Sequence, residues 1–258
     1  MQKGVYPDQV RNYRLLMQRW VRLTKKLRFL HLRFFGEASG YPLMLIESRE
    51  GGSDTPSFYL SAGIHGDEPA PVEALIQWAE ESLSELPDCK IQIFPCLNPW
   101  GLERNIRFDE AGRDLNRCFN LRKVPQIAEQ LAVMKGWKFD LALMLHEDYD
   151  ARGFYLYEIA ARRPYWGNEF CEALSKIQPS DPRRLIDGKR ASKGLIRRRI
   201  TPELLAEMKG HPEAFCLHLH HASRTYTFET PSEDLLVKRI DLHRNFISLA
   251  LGKTLTPN

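Results

Sequence analysis

Three apolar stretches of this chain each end on a side chain that can bind or use a metal ion. Phe58-Tyr59-Leu60-Ser61-Ala62-Gly63-Ile64 runs into His65-Gly66-Asp67-Glu68, Leu141 through Leu145 runs into His146, and Thr225-Tyr226-Thr227-Phe228 runs into Glu229. In an open α/β sheet, side chains just past the carboxyl ends of parallel strands converge on one crevice. Two imidazoles and one carboxylate make a zinc shell that leaves a place for water. A further carboxylate beside that water is what metal-assisted hydrolysis requires. His65 and Glu68 stand three residues apart at a strand-to-helix turn, so both can face one way, and Gly66 permits a tight backbone there. Taken alone, this spacing also fits a surface accident.

Other segments carry chemistry less directly. Asn98-Pro99-Trp100-Gly101 follows an apolar strand and reads as a turn. Arg107 to Phe119 is polar, arginine-rich and poor in apolar anchors; it is either a long functional loop or a solvated charged one. Glu147-Asp148-Tyr149-Asp150, directly after His146, reads as a solvated strand-end loop, with an amine or second cation as the alternative ligand. Lys189, Arg190, Lys193, Arg197, Arg198 and Arg199 form the strongest basic cluster, open to a poly-acidic substrate, to solvent or to weak nucleic-acid contact. His218 and His220 would share one face of a strand. With no carboxylate at suitable spacing, they and His211 and His221 read as surface histidines of an edge strand.

The elements that must position these groups follow from periodicity. An amphipathic helix is expected over 8–28, with Val10, Tyr13, Leu16, Trp20, Leu23 and Leu27 on its apolar face and Arg11, Arg14, Arg19, Lys25 and Lys26 on a solvated basic one. Strands over 28–35 and 42–47 are joined by a glycine-bounded turn, and 51–56 is a loop. Strand 57–64, helix 69–85, strand 90–96, helix 124–136, strand 139–145, helix 165–177, strand 214–229 and helix 233–251 complete the pattern. Such alternation gives an α/β fold with a mainly parallel sheet and helices on both faces. No internal repeat or low-complexity tract divides the chain, so 1–258 is expected to form a single domain.

Composition sets the limits. At 258 residues, 43% apolar and 27% charged, the chain can bury a sizeable core. A net charge of +4 permits acidic substrates without demanding nucleic acid. No apolar run approaches the roughly 20 residues that span a bilayer, and the first eight residues lack a signal-type apolar region. Five scattered cysteines without a Cys-x-x-Cys pair argue against a thiolate zinc knot or a disulfide framework, and fit a reduced, cytoplasmic protein.

The ordered set of motifs resembles the zinc carboxypeptidase family (carboxypeptidase A-like), in its short, single-domain, bacterial-type form. His65-x-x-Glu68 matches the family's first zinc motif and Asn98-Pro99-x-Gly101 its turn. Gly112-x-Asp114-Leu115-Asn116-Arg117-x-Phe119 matches the segment that grips the substrate carboxylate. His146 matches the third ligand and Thr227-Phe228-Glu229 the catalytic glutamate; the match runs in order from about residue 30 to residue 232. The resemblance implies a mainly parallel mixed sheet flanked by helices and one Zn²⁺ per chain, held by His65, Glu68 and His146. It implies Asp114 orienting His65, Glu229 as general base, Arg107 polarising the scissile carbonyl, and Asn116 with Arg117 holding a free carboxylate on a peptide or acyl-amino-acid substrate.

One departure stands out: no tyrosine lies between Tyr165 and Tyr226, where broad-specificity members usually keep a mobile one. The leading expectation is a metallocarboxypeptidase. The alternatives are a deacylase of N-acyl amino acids, resembling the succinylglutamate desuccinylase and aspartoacylase branch, and a non-catalytic binding protein on the same scaffold. Neither nucleic acid nor membrane is an expected partner.

Overall fold

Apolar runs of strand length alternate with amphipathic segments, and the chain folds them into one sheet covered on both faces. The computed structural model describes residues 7–48, 52, 54–86, 88–121, 123–161 and 163–256. Residues 1–6, where a signal-type region was sought, and Gly51 and Ser53 of the expected loop lie outside them.

The described elements are α1 (Pro7–Val10), α2 (Tyr13–Lys26), β1 (His31–Ala38), β2 (Tyr41–Ser48), β3 (Ser57–Ser61), α3 (Pro69–Ser82), β4 (Lys90–Phe94), α4 (Pro99–Arg104), α5 (Pro125–Val133) and β5 (Leu141–Asp148). They continue with β6 (Tyr155–Ala160), α6 (Gly167–Leu174), β7 (Leu185–Ile186), β8 (Lys189–Arg190), β9 (Leu195–Arg197), α7 (Pro202–Glu207), α8 (Glu213–His220), β10 (Arg224–Pro231) and α9 (Leu236–Leu255). Eight strands form the main sheet in the order β1-β2-β4-β3-β5-β10-β6-β9. The centre, β4-β3-β5-β10, is parallel. Antiparallel β1 and β2 close one side, and β6 runs antiparallel to β10 on the other. This is the mainly parallel mixed sheet expected.

Side chains alternate between the two faces of a strand, and the core divides accordingly. Phe58, Leu60, Leu143, Leu145, Tyr226 and Phe228 pack under α2, α3, α6 and α9. Tyr59, Ala142 and Met144 pack on the opposite face, against α5 and α8.

Four differences from the sequence reading have physical causes. The expected strand 214–229 is a helix followed by a strand. Pro212 starts α8, and Leu217 is fully buried while Leu219 is 42% exposed, which two residues sharing one strand face would not be. His218 and His220 therefore lie on a helix rather than along an edge strand. The expected N-terminal helix is broken at Asn12, whose side chain accepts the Leu15 N–H at 3.0 Å and starts α2 afresh. Its basic face is not wholly solvated, because Arg19 binds Glu73 and Glu80 of α3 at 2.7 and 2.6 Å. Asn98 likewise caps a helix, α4, instead of making a plain turn.

Candidate active site

The residues singled out from sequence meet at the carboxyl end of the sheet, His65 and Glu68 just past β3, and His146 and Glu229 near the ends of β5 and β10. His65 and Glu68 sit in the connection from β3 to α3, where Gly66 passes so close to Gly101 that an added Cβ would lie 2.1 Å from its carbonyl carbon. Only glycine fits there, and the fit seats the turn against α4. His146 ends the apolar run of β5. Glu229 is its direct register partner on β10, which puts the two backbones one strand spacing apart.

His65 Nδ1 lies 2.5 Å from Glu68 Oε1, and His146 Nδ1 lies 2.9 Å from Glu68 Oε2. Ligand-type atoms of the three residues fall within 4.8 Å of one another, and all three residues are buried. They form the one such group found among the described residues. Burial disfavours the Glu68 carboxylate, yet the two imidazoles hold it well below the usual carboxylate range. Burial likewise opposes charge on His65, but Glu68 and Asp114 outweigh it and hold the ring up at about 9. The pocket thus pulls positive charge toward one point between three buried donors, the pull a divalent cation satisfies. Two nitrogens and one carboxylate suit zinc.

Asp114 Oδ1 lies 3.2 Å from His65 Nε2 and also accepts the Asn116 N–H at 3.0 Å. Arg107 reaches both groups, at 3.2 Å from Asp114 Oδ2 and 3.5 Å from Glu68 Oε1. Its backbone carbonyl accepts the Gly66 N–H. Burial pushes the Glu229 carboxyl up to about 8; His146 opposes the rise, while Glu68, Asp148 and Asp187 add to it. A divalent cation alongside favours its ionised form.

These groups line a cleft of about 530 Å³, within the range of small-molecule sites. Asn116 and Arg117 form one wall. Asn116 is fixed because its Oδ1 accepts the Glu213 N–H at 2.9 Å, and Arg117 because Gly210 packs against its carbonyl. Arg117 is exposed, its Nη1 donating only to the Asn116 carbonyl at 2.8 Å. A larger depression, about 1080 Å³, lies at the opposite ends of the strands and includes His218, His220 and His221. No metal-type group was found there among the described residues.

Sequence reasoning missed part of the cleft. Tyr155 and Tyr157 face it from β6, a strand not anticipated because buried Glu158 interrupts its apolar pattern. That carboxylate accepts the Trp166 and Gly167 N–H groups at the start of α6. The alternation of tyrosines at 155 and 157 was the available signal. Tyr155 stands opposite Glu229 and donates to Asp148 at 3.0 Å; Tyr157 donates to Asp187 at 2.7 Å. The basic cluster divides. Lys189 and Arg198 line the cleft, whereas Arg197 pairs with Glu158 at 2.7 Å. Arg198 lies 5.0 Å above the Phe215 ring and has no ion-pair partner among the described residues. The acidic run is not a solvated loop throughout, since Glu147 is 5% exposed and bonded to Ala70 and Arg239. All five cysteines are buried and unpaired.

Comparison with known proteins places this geometry. A model of the succinylglutamate desuccinylase/aspartoacylase catalytic domain matches residues 54–181. A succinylglutamate desuccinylase of Vibrio cholerae is 37% identical over 67 residues, 26% of this chain and 19% of that protein. The aligned region is therefore under a fifth of that relative's length. A solved protein of Shewanella amazonensis, provisionally named a metallopeptidase, superposes with a TM-score of 0.82 at 20% identity over 96% of this chain and 95% of its own. A metallo-carboxypeptidase of Pseudomonas aeruginosa, solved with (2-guanidinoethylmercapto)succinic acid, gives 0.66 at 18% identity over 92% of this chain and 68% of its own. At such identities the structures establish a shared fold.

Proposed function

We propose that this chain, whose residues 54–181 match the succinylglutamate desuccinylase/aspartoacylase catalytic domain and whose fold is shared with metallo-carboxypeptidases, is a zinc-dependent metallocarboxypeptidase, releasing a residue with a free carboxylate from the end of a peptide. The observation that carries the reading is the buried His65–Glu68–His146 group with Glu229 as the register partner of His146. Bound there, zinc supplies Lewis-acid polarisation of a water and of the scissile carbonyl.

The chain's own residues do the rest. Glu229 takes the proton of the attacking water as its oxygen bonds to the carbonyl carbon, and delivers that proton to the amine as the C–N bond breaks. Arg107 donates to the carbonyl oxygen as negative charge develops on it. Asp114 holds the outer nitrogen of His65 and fixes the ring. Asn116 and Arg117 hold the substrate's free carboxylate, for which a planar guanidinium suits two-point contact. Arg198, in the same cleft and without an ion pair among the described residues, favours substrates with a second anionic group. The 258 residues act as one catalytic domain. Five unpaired cysteines support a cytoplasmic setting, and no described helix is long and apolar enough to cross a membrane.

A second reading keeps the zinc and changes the acyl group: a deacylase of N-acyl amino acids. The family model over 54–181 favours it. One screen tests both, with hydrolysis of free-acid peptides, amidated peptides and N-acyl amino acids followed by mass spectrometry beside metal analysis. Free-acid peptide cleavage with about one zinc per chain supports the first reading. Turnover confined to acyl amino acids replaces it with the second. Zinc-free protein that hydrolyses neither class overturns both.

A further inference from the structure

The trio comes from two separate elements, His65 and Glu68 from the β3–α3 connection and His146 from β5, and something must fix the distance between them. Strand alternation puts His146 and Glu229 toward the cleft, so their neighbours Glu147 and Thr230 turn to the face covered by α3 and α9. Glu147 is 5% exposed. One of its oxygens accepts the Ala70 N–H at 2.9 Å, two residues past Glu68 in the first turn of α3. The other binds Arg239 of α9, whose side chain is 12% exposed. One carboxylate thus joins the residue after His146, the helix that follows Glu68, and a third element outside the site. A buried ion pair costs desolvation and is a weak source of stability, so its use lies in the geometry it imposes.

We propose that Glu147 and Arg239 are positioning residues, a clamp that holds Glu68 and His146 at the separation a metal ion requires. The inference rests on the metal reading above but assigns these two residues a role of their own. Further along α9, Arg244 binds Glu81 near the far end of α3 and Asp241 within its own helix at 2.9 Å. It joins the same two helices as the clamp but away from Glu68 and His146, so it serves as the control.

Zn²⁺ affinity is measured by competition with a chromophoric chelator, alongside thermal unfolding of the zinc-free proteins. Glu147→Gln and Arg239→Met should each weaken zinc by roughly ten- to a hundredfold. Arg239→Lys should recover part of the loss, since a point charge replaces the fork. The double variant Glu147→Gln/Arg239→Met removes both charges and carries the measurement if a single one fails to fold. It should bind zinc no more weakly than the worse single variant. Arg244→Met should bind zinc as the unaltered protein does, even if it melts earlier. Unchanged affinity in the foldable clamp variants, or an equal loss in Arg244→Met, would overturn the clamp. Should His146→Ala retain full affinity, the metal reading itself falls, and that result is distinguishable because it does not involve α9.

Discussion

Asp114 Oδ1 stands 3.2 Å from the outer ring nitrogen of His65, and the same oxygen accepts the Asn116 N–H at 3.0 Å. One carboxylate therefore holds the His65 ring and caps the turn that carries Asn116 and Arg117. Burial works against its charge, but His65, Arg107 and Arg117 hold it well below the usual range. Asp114→Asn weakens both duties. Zinc affinity should fall by roughly ten- to a hundredfold, and KM should rise with it because the capped turn loosens. Chelator competition and steady-state kinetics check the two effects separately.

Glu229 is set apart from the ligand trio. It faces His146 across the β5–β10 pairing, whereas Glu68 is the carboxylate bonded to both histidines. Glu229→Gln keeps the shape and removes the proton acceptor. Zinc should remain while kcat drops by roughly 10²–10⁴-fold. Zinc lost from this variant would mean that Glu229 is a ligand.

Asp181 gives a stability test on a carboxylate outside the His65–Glu68–His146 group. It is 1% exposed and accepts from the Arg152 and Arg183 backbones and the Arg183 guanidinium at 2.6–2.9 Å. Burial opposes its charge, yet Arg183 and the Arg152 N–H hold its carboxyl below the ordinary value. A folded pKa below the unfolded one means the unfolded chain binds the proton first. The stabilisation is therefore complete above about pH 4 and is lost as pH falls through the folded value. Asp181→Asn should cost roughly 1.5–3 kcal/mol near neutrality, and the deficit should shrink in acid. Urea unfolding across that range is the measurement.

That His65, His146 and Glu229 come together, with Glu68 following His65 at three residues' spacing, was legible because each of the three ends an apolar run, and strand ends are where a parallel sheet places its chemistry. The cleft's other wall was not. Tyr155 and Tyr157 lie on a strand whose pattern is broken by Glu158, a buried carboxylate satisfied by the start of α6. Periodicity counts it as solvent-facing. Residues 214–220 failed for a different reason: Leu217-His218-Leu219-His220 mimics a two-residue period, and only Pro212 ahead of it marks a helix start. Glu147 looked like part of a solvated acidic run because its partners, Ala70 and Arg239, are 77 and 92 residues away.

Arg117 carries the test between the two substrate classes. It is exposed in the cleft, its backbone pinned by Gly210, with no carboxylate of the described residues within ion-pair distance. If it receives a terminal carboxylate, a free-acid peptide should be cut faster than its amide. A charge-assisted bond contributes about 1.5–3 kcal/mol, or roughly ten- to a hundred-and-fifty-fold in kcat/KM. Arg117→Ala should erase most of that preference with zinc still bound. Arg117→Lys should restore only part of it, because a point charge lacks the planar fork. Arg198 lies in the same cleft over the Phe215 ring, with no ion pair among the described residues, so Arg198→Met should leave the acid-over-amide preference intact. It should instead reduce turnover of substrates whose terminal residue bears a second negative charge. Equal rates on acid and amide would end the carboxypeptidase reading. Loss of the acid preference in Arg198→Met but not in Arg117→Ala would exchange the roles of the two arginines.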